Sequence, residues 1–178
     1  GLGDVYKRQN LLYGVFHENA SQKTSMSFME PIYEMLEKDR GKVIYFDFWV
    51  KWCPPCLTEM EPLKQLRSKY STKDLVIYSI CGSEPKEEWE ECLDKYSLRN
   101  RGIECIYAND FFGKENYQKI CNQWNVHDMP YYILINRKGQ IIDFGSSARP
   151  SNPNLRSRIE EAVKNLSLIH ISEPTRPI

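Results

Sequence analysis

Lys42-Val-Ile-Tyr-Phe-Asp-Phe-Trp-Val-Lys-Trp-Cys-Pro-Pro-Cys56 decides the reading of this chain. Its first half, Lys42 to Trp49, is a continuous apolar run that holds a single carboxylate, Asp47. Such a run, apolar on both parities, predicts a central strand covered on both faces. Beyond Cys56, residues Met60, Leu63, Leu66 and Tyr70 recur at helical spacing. The two cysteines therefore fall where a strand gives way to a helix. Pro54 suits the first turn of that helix, where its missing N–H is no loss.

That placement carries chemistry. Disulfide exchange runs through a thiolate, and a sulfur over a helix N-terminus meets unpaired amides and the positive end of the dipole. A second, inward sulfur nearby can resolve a mixed disulfide. Two adjacent prolines withhold donors, so Cys53 is expected to be only moderately acidified. That suits a reductant or isomerase better than an oxidant working near about −120 mV. Asp47 lies in the predicted buried strand, where desolvation raises a carboxyl pKa into a range useful for taking the Cys56 proton. The plainer alternative is a carboxylate turned to water at a strand edge. A zinc site would need a second close pair of ligands. Cys81, Cys92, Cys105 and Cys121 offer none, and His127 stands alone. These four cysteines fall on apolar positions and read as buried free thiols, a second disulfide among them remaining open.

Working outward, Pro31, Ile32, Met35 and Leu36 predict a short helix ending near Arg40-Gly41. Leu75–Cys81 reads as a second strand, and Trp89, Cys92, Leu93 and Tyr96 as one face of a helix capped by Ser83. Ile103–Ala108 reads as a third strand, followed by a helical stripe of Tyr117, Ile120, Cys121 and Trp124. Tyr131–Asn136 and Gln140–Phe144, joined through Arg137-Lys138-Gly139, predict a hairpin. Leu155, Ile159, Ala162 and Val163 close the pattern with a helix. Strands alternating with helices, then a hairpin and a helix, imply an α/β domain: a mixed sheet with helices on both faces.

The 178 residues carry 24 basic and 24 acidic side chains. A balance this even argues against a nucleic-acid partner, and no apolar run reaches the roughly 20 residues that span a bilayer. The ends read differently from the middle. Codons GGG CTC GGA GAT GTG TAT AAG AGA CAG encode Gly1 to Gln9, and their reverse complement encodes Leu166 to Pro174. Both ends thus resemble translated transposase sequencing adapters, which predicts a domain over residues 10–165 between adapter-derived segments 1–9 and 166–178. Residues 10–27 read as an irregular lead-in. Net charge after trimming stays near −1. With no initiating Met, an upstream signal peptide, lipid anchor or further domain is left open.

Asp47 to Cys56 resembles the active-site segment of thioredoxin-like proteins. Met129-Pro130 and the following Tyr131-Tyr-Ile-Leu-Ile-Asn-Arg-Lys-Gly-Gln-Ile141 resemble their cis-proline strand and hairpin. The intervening insertion, roughly 82–115, is similar to that of the TlpA/ResA-like branch, related to AhpC/TSA proteins, and the likeness covers about 25–165. The resemblance implies a thioredoxin-like fold and a protein-disulfide reductase with Cys53 as nucleophile, Cys56 as resolving cysteine and Asp47 as proton acceptor. Trp52, Met129 and cis-Pro130 would line the substrate groove. No cofactor is implied beyond the redox-active Cys53–Cys56 disulfide. Implied partners are disulfide-bearing client proteins and a membrane or thioredoxin-type electron donor, in a periplasmic or other extracytoplasmic setting with possible membrane tethering; oligomeric state is not implied. One departure is Pro62, six residues after Cys56 where many relatives have proline at five; a helix kink is still expected. A copper-binding domain using Cys53, Cys56 and His127, and a redox-idle interaction domain, are the competing readings. Copper-binding relatives usually space their cysteines by three residues, and the intact cysteine pair argues against redox idleness.

Overall fold

The computed structural model describes residues 27–165; the predicted adapter segments and most of the lead-in lie outside them. A 3-10 turn, Ser27–Met29, leads into α1, Glu30–Lys38, with proline in its first turn. Then follow β1, Val43–Trp49; α2, Pro54–Thr58; α3, Met60–Lys69; β2, Leu75–Cys81; and α4, Lys86–Lys95. The second half comprises β3, Ile103–Tyr107; α5, Ala108–Phe111; α6, Lys114–Gln123; the strands β4, Tyr131–Ile135, and β5, Ile141–Gly145; and α7, Pro153–Lys164.

The five strands form one mixed sheet in the order β3-β2-β1-β4-β5. β1 and β2 are parallel, as are β2 and β3, while β4 runs antiparallel to both β1 and β5. All seven residues of β1 are buried, as the continuous apolar run predicts for the middle of a sheet covered on both sides. Side-chain parity divides β1 between two cores. Ile44, Phe46 and Phe48 join Ile32 and Met35 of α1 and Ile120 of α6. Val43, Tyr45 and Trp49 face the other way, toward Cys56, Met60, Leu63 and the buried face of α7. By the same parity, Asp47 looks toward the layer that carries the cysteines.

Three local predictions differ from the structure. Ser83 does not cap α4: its N-cap is Pro85, after a cis Glu84–Pro85 bond, and the Ser83 hydroxyl instead accepts the Lys51 N–H at 2.5 Å. Ala108 leaves the third strand and opens the short α5, for which no helix was predicted. The third is a refinement: the kink expected from Pro62 takes the form of a one-residue break at Glu59, itself in αR conformation, between α2 and α3. A proline ring excludes the carbonyl four residues earlier, here that of Thr58, and the helix breaks there.

The end of the sheet remote from the cysteines is held by buried charge. The Arg137 guanidinium, at the hairpin turn, donates to the carbonyls of Val163 (2.8 Å) and Gly41 (3.2 Å) and pairs with Asp74 (2.9 Å). At the turn, the Asn136 side-chain oxygen accepts from the N–H groups of Lys138 and Gln140, and Gly139 takes the positive φ that closes it.

Candidate redox site

β1 delivers the chain to the edge of its buried layer, and four residues after its end the cysteines begin. Cys53 is the N-cap of α2 in extended conformation, and Pro54 and Pro55 form the first turn. The only N–H that donates to Cys53 Sγ among the described residues is that of Cys56, at 3.2 Å. This is the physical content of the double proline: two of the amides that open the helix have no hydrogen to offer. Cys53 and Cys56 form a disulfide with Cα atoms 5.2 Å apart. Both cysteines are buried, and Cys53, 8% exposed against 2% for Cys56, is the more exposed of the two.

Trp52, immediately before, is 65% exposed, a large apolar surface beside the sulfurs. Lys51 is half-buried, with Nζ 3.3 Å from Glu88 and 3.9 Å from Glu91. On the neighbouring strand, the register sets Tyr131 opposite Phe48, which brings the start of β4 to the end of β1 from which the cysteine loop emerges. Met129–Pro130 is cis, as the sequence reading expected. Pro130 is buried, and Met129 packs partly buried against both cores.

Asp47 is buried at 3% exposure, which removes the solvated-edge alternative. Desolvation pushes its carboxyl up to about 7, against a downward pull from the Ser79 hydrogen bond and a further push from the Glu59 charge. Ser79 donates to Asp47 Oδ2 at 3.2 Å and accepts the Trp49 indole N–H at 2.9 Å. The sequence reading did not single out Ser79. The signal was present: it is the lone serine in a buried strand, and the register places it beside the lone carboxylate of β1.

Glu59 was also missed. It sits at the break between α2 and α3, 7% exposed, accepting from Ser151 N–H at 2.9 Å and Ser151 Oγ at 2.6 Å, with Arg149 at 3.8 Å. Its spacing of three from Cys56 puts both on one helical face. A second buried carboxylate near the first keeps the Asp47 proton in place.

The remaining sulfurs are free thiols: Cys81 and Cys92 buried, Cys105 and Cys121 half-buried. Burial pushes Cys81 and Cys105 up to about 11, and Cys92 and Cys121 upward as well. Such thiols stay protonated and unreactive at neutral pH. His127 is exposed and its ring pairs with Asn125 at 3.1 Å. Among the described residues no three His, Cys, Asp or Glu side chains gather in an arrangement that could hold a metal ion. No described helix is long and apolar enough to cross a membrane.

Comparison with known proteins places this geometry. A thioredoxin-like family model matches residues 41–141. The thiol-disulfide oxidoreductase ResA of Halalkalibacterium halodurans is 26% identical over 112 residues, covering 60% of this chain and 55% of that protein. The chain thus spans about half the length of the curated relatives it matches. The solution structure of a candidate thiol-disulfide oxidoreductase from Bacteroides vulgatus is 31% identical, with a TM-score of 0.52 over 71% of this chain and 76% of that one. A thiol:disulfide interchange protein from Bacteroides sp., 19% identical, shares the fold at a TM-score of 0.60 over 73% and 78% of the two chains.

Proposed function

The chain belongs to the thioredoxin-like family, and from that premise we propose that it is a thiol–disulfide oxidoreductase that reduces disulfides of extracytoplasmic client proteins through Cys53 and Cys56. The observation that carries this reading is the Cys53–Cys56 disulfide at a helix N-terminus, at the same end of the sheet as the cis Met129–Pro130 bond. The likeness to ResA, a thiol-disulfide oxidoreductase by name, supports the same chemistry.

In the dithiol form, Cys53 attacks a client disulfide as the thiolate. The client S–S bond breaks, and one client sulfur leaves and takes up a proton. Asp47 then accepts the Cys56 proton, and the Cys56 thiolate attacks Cys53 Sγ. The mixed disulfide breaks, the Cys53–Cys56 bond forms, and the client leaves with its second thiol. Two electrons have moved to the client, and a membrane or thioredoxin-type dithiol donor restores the pair. A proton acceptor poised near pH 7 suits this step, because it is ionised often enough to act and basic enough to take the proton. Trp52 gives the client an apolar surface. Met129 offers its backbone to an extended client segment where Pro130 leads into β4.

The test is turnover of a protein disulfide with a dithiol donor. Cys53→Ser should abolish it, and Cys56→Ser should accumulate a mixed disulfide on Cys53. Undiminished turnover by Cys53→Ser, or stoichiometric copper uptake without turnover in the parent protein, would overturn the reading.

A further inference from the structure

Tyr132 lies on β4 as the antiparallel partner of Asp47, so their side chains leave the sheet on the same face, with Cβ atoms about 5 Å apart. Its ring is stacked on that of Tyr45, centroids 5.7 Å apart and planes 10° from parallel. The Tyr45 hydroxyl is committed, donating to the Ala148 carbonyl at 2.5 Å. The Tyr132 hydroxyl is not: the side chain is 1% exposed, and its oxygen has no hydrogen-bond partner. The charges that bear on it are, in falling order, Asp47, Glu59 and Arg149. Buried hydroxyls are paired as a rule. Among the described residues the Tyr33, Tyr70 and Tyr117 hydroxyls are unpaired as well, and Tyr132 is the one of these whose strand partner is Asp47.

We propose that Tyr132 is a positioning residue for the exchange reaction: its hydroxyl supplies, directly or through one bridging water, a hydrogen bond that the Asp47 carboxylate accepts when it ionises. The proposal rests on the reading of Asp47 as proton acceptor for Cys56. Ser79 occupies Oδ2, and a carboxylate has room for further donors. When Cys56 gives up its proton, Asp47 becomes a neutral carboxyl and the Tyr132 bond weakens. When the proton leaves, the bond strengthens and holds the carboxylate ready for the next cycle. A donor to the charged form favours that form, so Tyr132 opposes the desolvation that keeps Asp47 protonated.

The other groups around this carboxyl come from every neighbouring element. They are Tyr45 on β1, Cys81 on β2, Cys105 on β3, Tyr117 on α6 and Glu59 between α2 and α3, while Arg149 before α7 acts on Tyr132 and Asp143 of β5 on Tyr45. Burial holds Tyr45, Cys81 and Cys105 protonated near neutrality. Glu59 and Arg149 oppose one another in sign at the Tyr132 hydroxyl.

Tyr132→Phe keeps the ring and its stack and removes only the donor. In the full chain, the Asp47 carboxyl is titrated by 13C NMR, and resolution of a Cys53 mixed disulfide is followed across pH in a single turnover. The expected result is a carboxyl midpoint about one pH unit higher, with resolution about tenfold slower at pH 6 and convergence with the parent above about pH 9. An unmoved midpoint overturns the proposal. If Asp47→Asn changes the pH profile while Tyr132→Phe does not, the proposal alone fails. If neither variant changes the profile, the proton-acceptor reading of Asp47 fails first and takes the proposal with it.

Discussion

Replacing Asp47 by Asn should stabilise the oxidised protein, and the gain should depend on pH in a way the structure specifies. Burial raises the Asp47 carboxyl from an ordinary value near 3.8 to about 7. In the unfolded chain it loses its proton from about pH 4 upward, while the folded protein retains it to about pH 7. Folding then carries a proton that unfolding releases, so stability falls as pH rises through this window and levels off above it. At about 1.4 kcal/mol per pH unit, the full cost of ionising Asp47 in place is about 4 kcal/mol. That is a large part of the 5–15 kcal/mol typical of a domain. Asn keeps the size of the side chain and an oxygen for the Ser79 hydroxyl but has no proton to lose. Urea denaturation of both oxidised proteins at pH 4, 5.5, 7 and 8.5 separates this effect from all titrations the two share. The stability difference should rise in favour of Asp47→Asn by about 4 kcal/mol from the first pH to the last, with its slope confined between about pH 4 and 7. A difference that stays level within about 0.5 kcal/mol would refute the reasoning, as would one that grows in favour of Asp47 with rising pH.

Ser79→Ala removes the bond that draws the Asp47 carboxyl downward, so its midpoint in a 13C NMR titration should rise above the parent value. The same change strips the Trp49 indole of its acceptor, and denaturation should register a loss of about 1–3 kcal/mol. Arg137→Met removes the donor shared by Val163, Gly41 and Asp74 at the opposite end of the sheet. It should cost about 3 kcal/mol in urea denaturation while leaving the Cys53–Cys56 reduction potential at its parent value.

The elements legible in the sequence are those whose signal is local. The apolar run of β1, the spacing of Met60, Leu63 and Leu66 in α3, and the Gly139 turn of the hairpin each state their structure within a few residues. Asp47 was legible for a related reason: one carboxylate inside such a run has few places to go. Glu59 was not. Along the chain it reads as one more acid in a charged helix, and only Ser151, 92 residues away, buries and pairs it. Ser83 was misassigned as a cap because the serine before a helical stripe is a common cap. Here the cis bond at Pro85 moves the helix start, and the freed hydroxyl holds the loop ahead of Cys53 through Lys51. Tyr132 looked like an ordinary inward residue of a strand. Its unpaired hydroxyl becomes visible only when the register sets it beside Asp47.

The two ends of β1 divide the physical work of the domain. At its start, buried charge is fully paired: Arg137 is satisfied by carbonyls and Asp74, Arg67 donates to the carbonyls of Leu75 and Tyr70, and Asp39 accepts from Lys42 and the Tyr78 hydroxyl. Pairs of this kind resist change, because removing one partner strands the other in the interior. Toward the end of β1 that leads to Cys53, polarity is left incomplete. Asp47 has a single neutral donor in Ser79, a second carboxylate near it, and a tyrosine hydroxyl with no partner. An acid so placed is poised between its two protonation states, and small changes in its surroundings move it from one to the other. Paired charge at one end and a carboxyl with one neutral donor at the other are the arrangement that the proposed proton-acceptor role of Asp47 calls for. Substitutions at the Arg137 end should therefore alter stability with little effect on exchange, and substitutions around Asp47 should alter exchange even where they stabilise the fold.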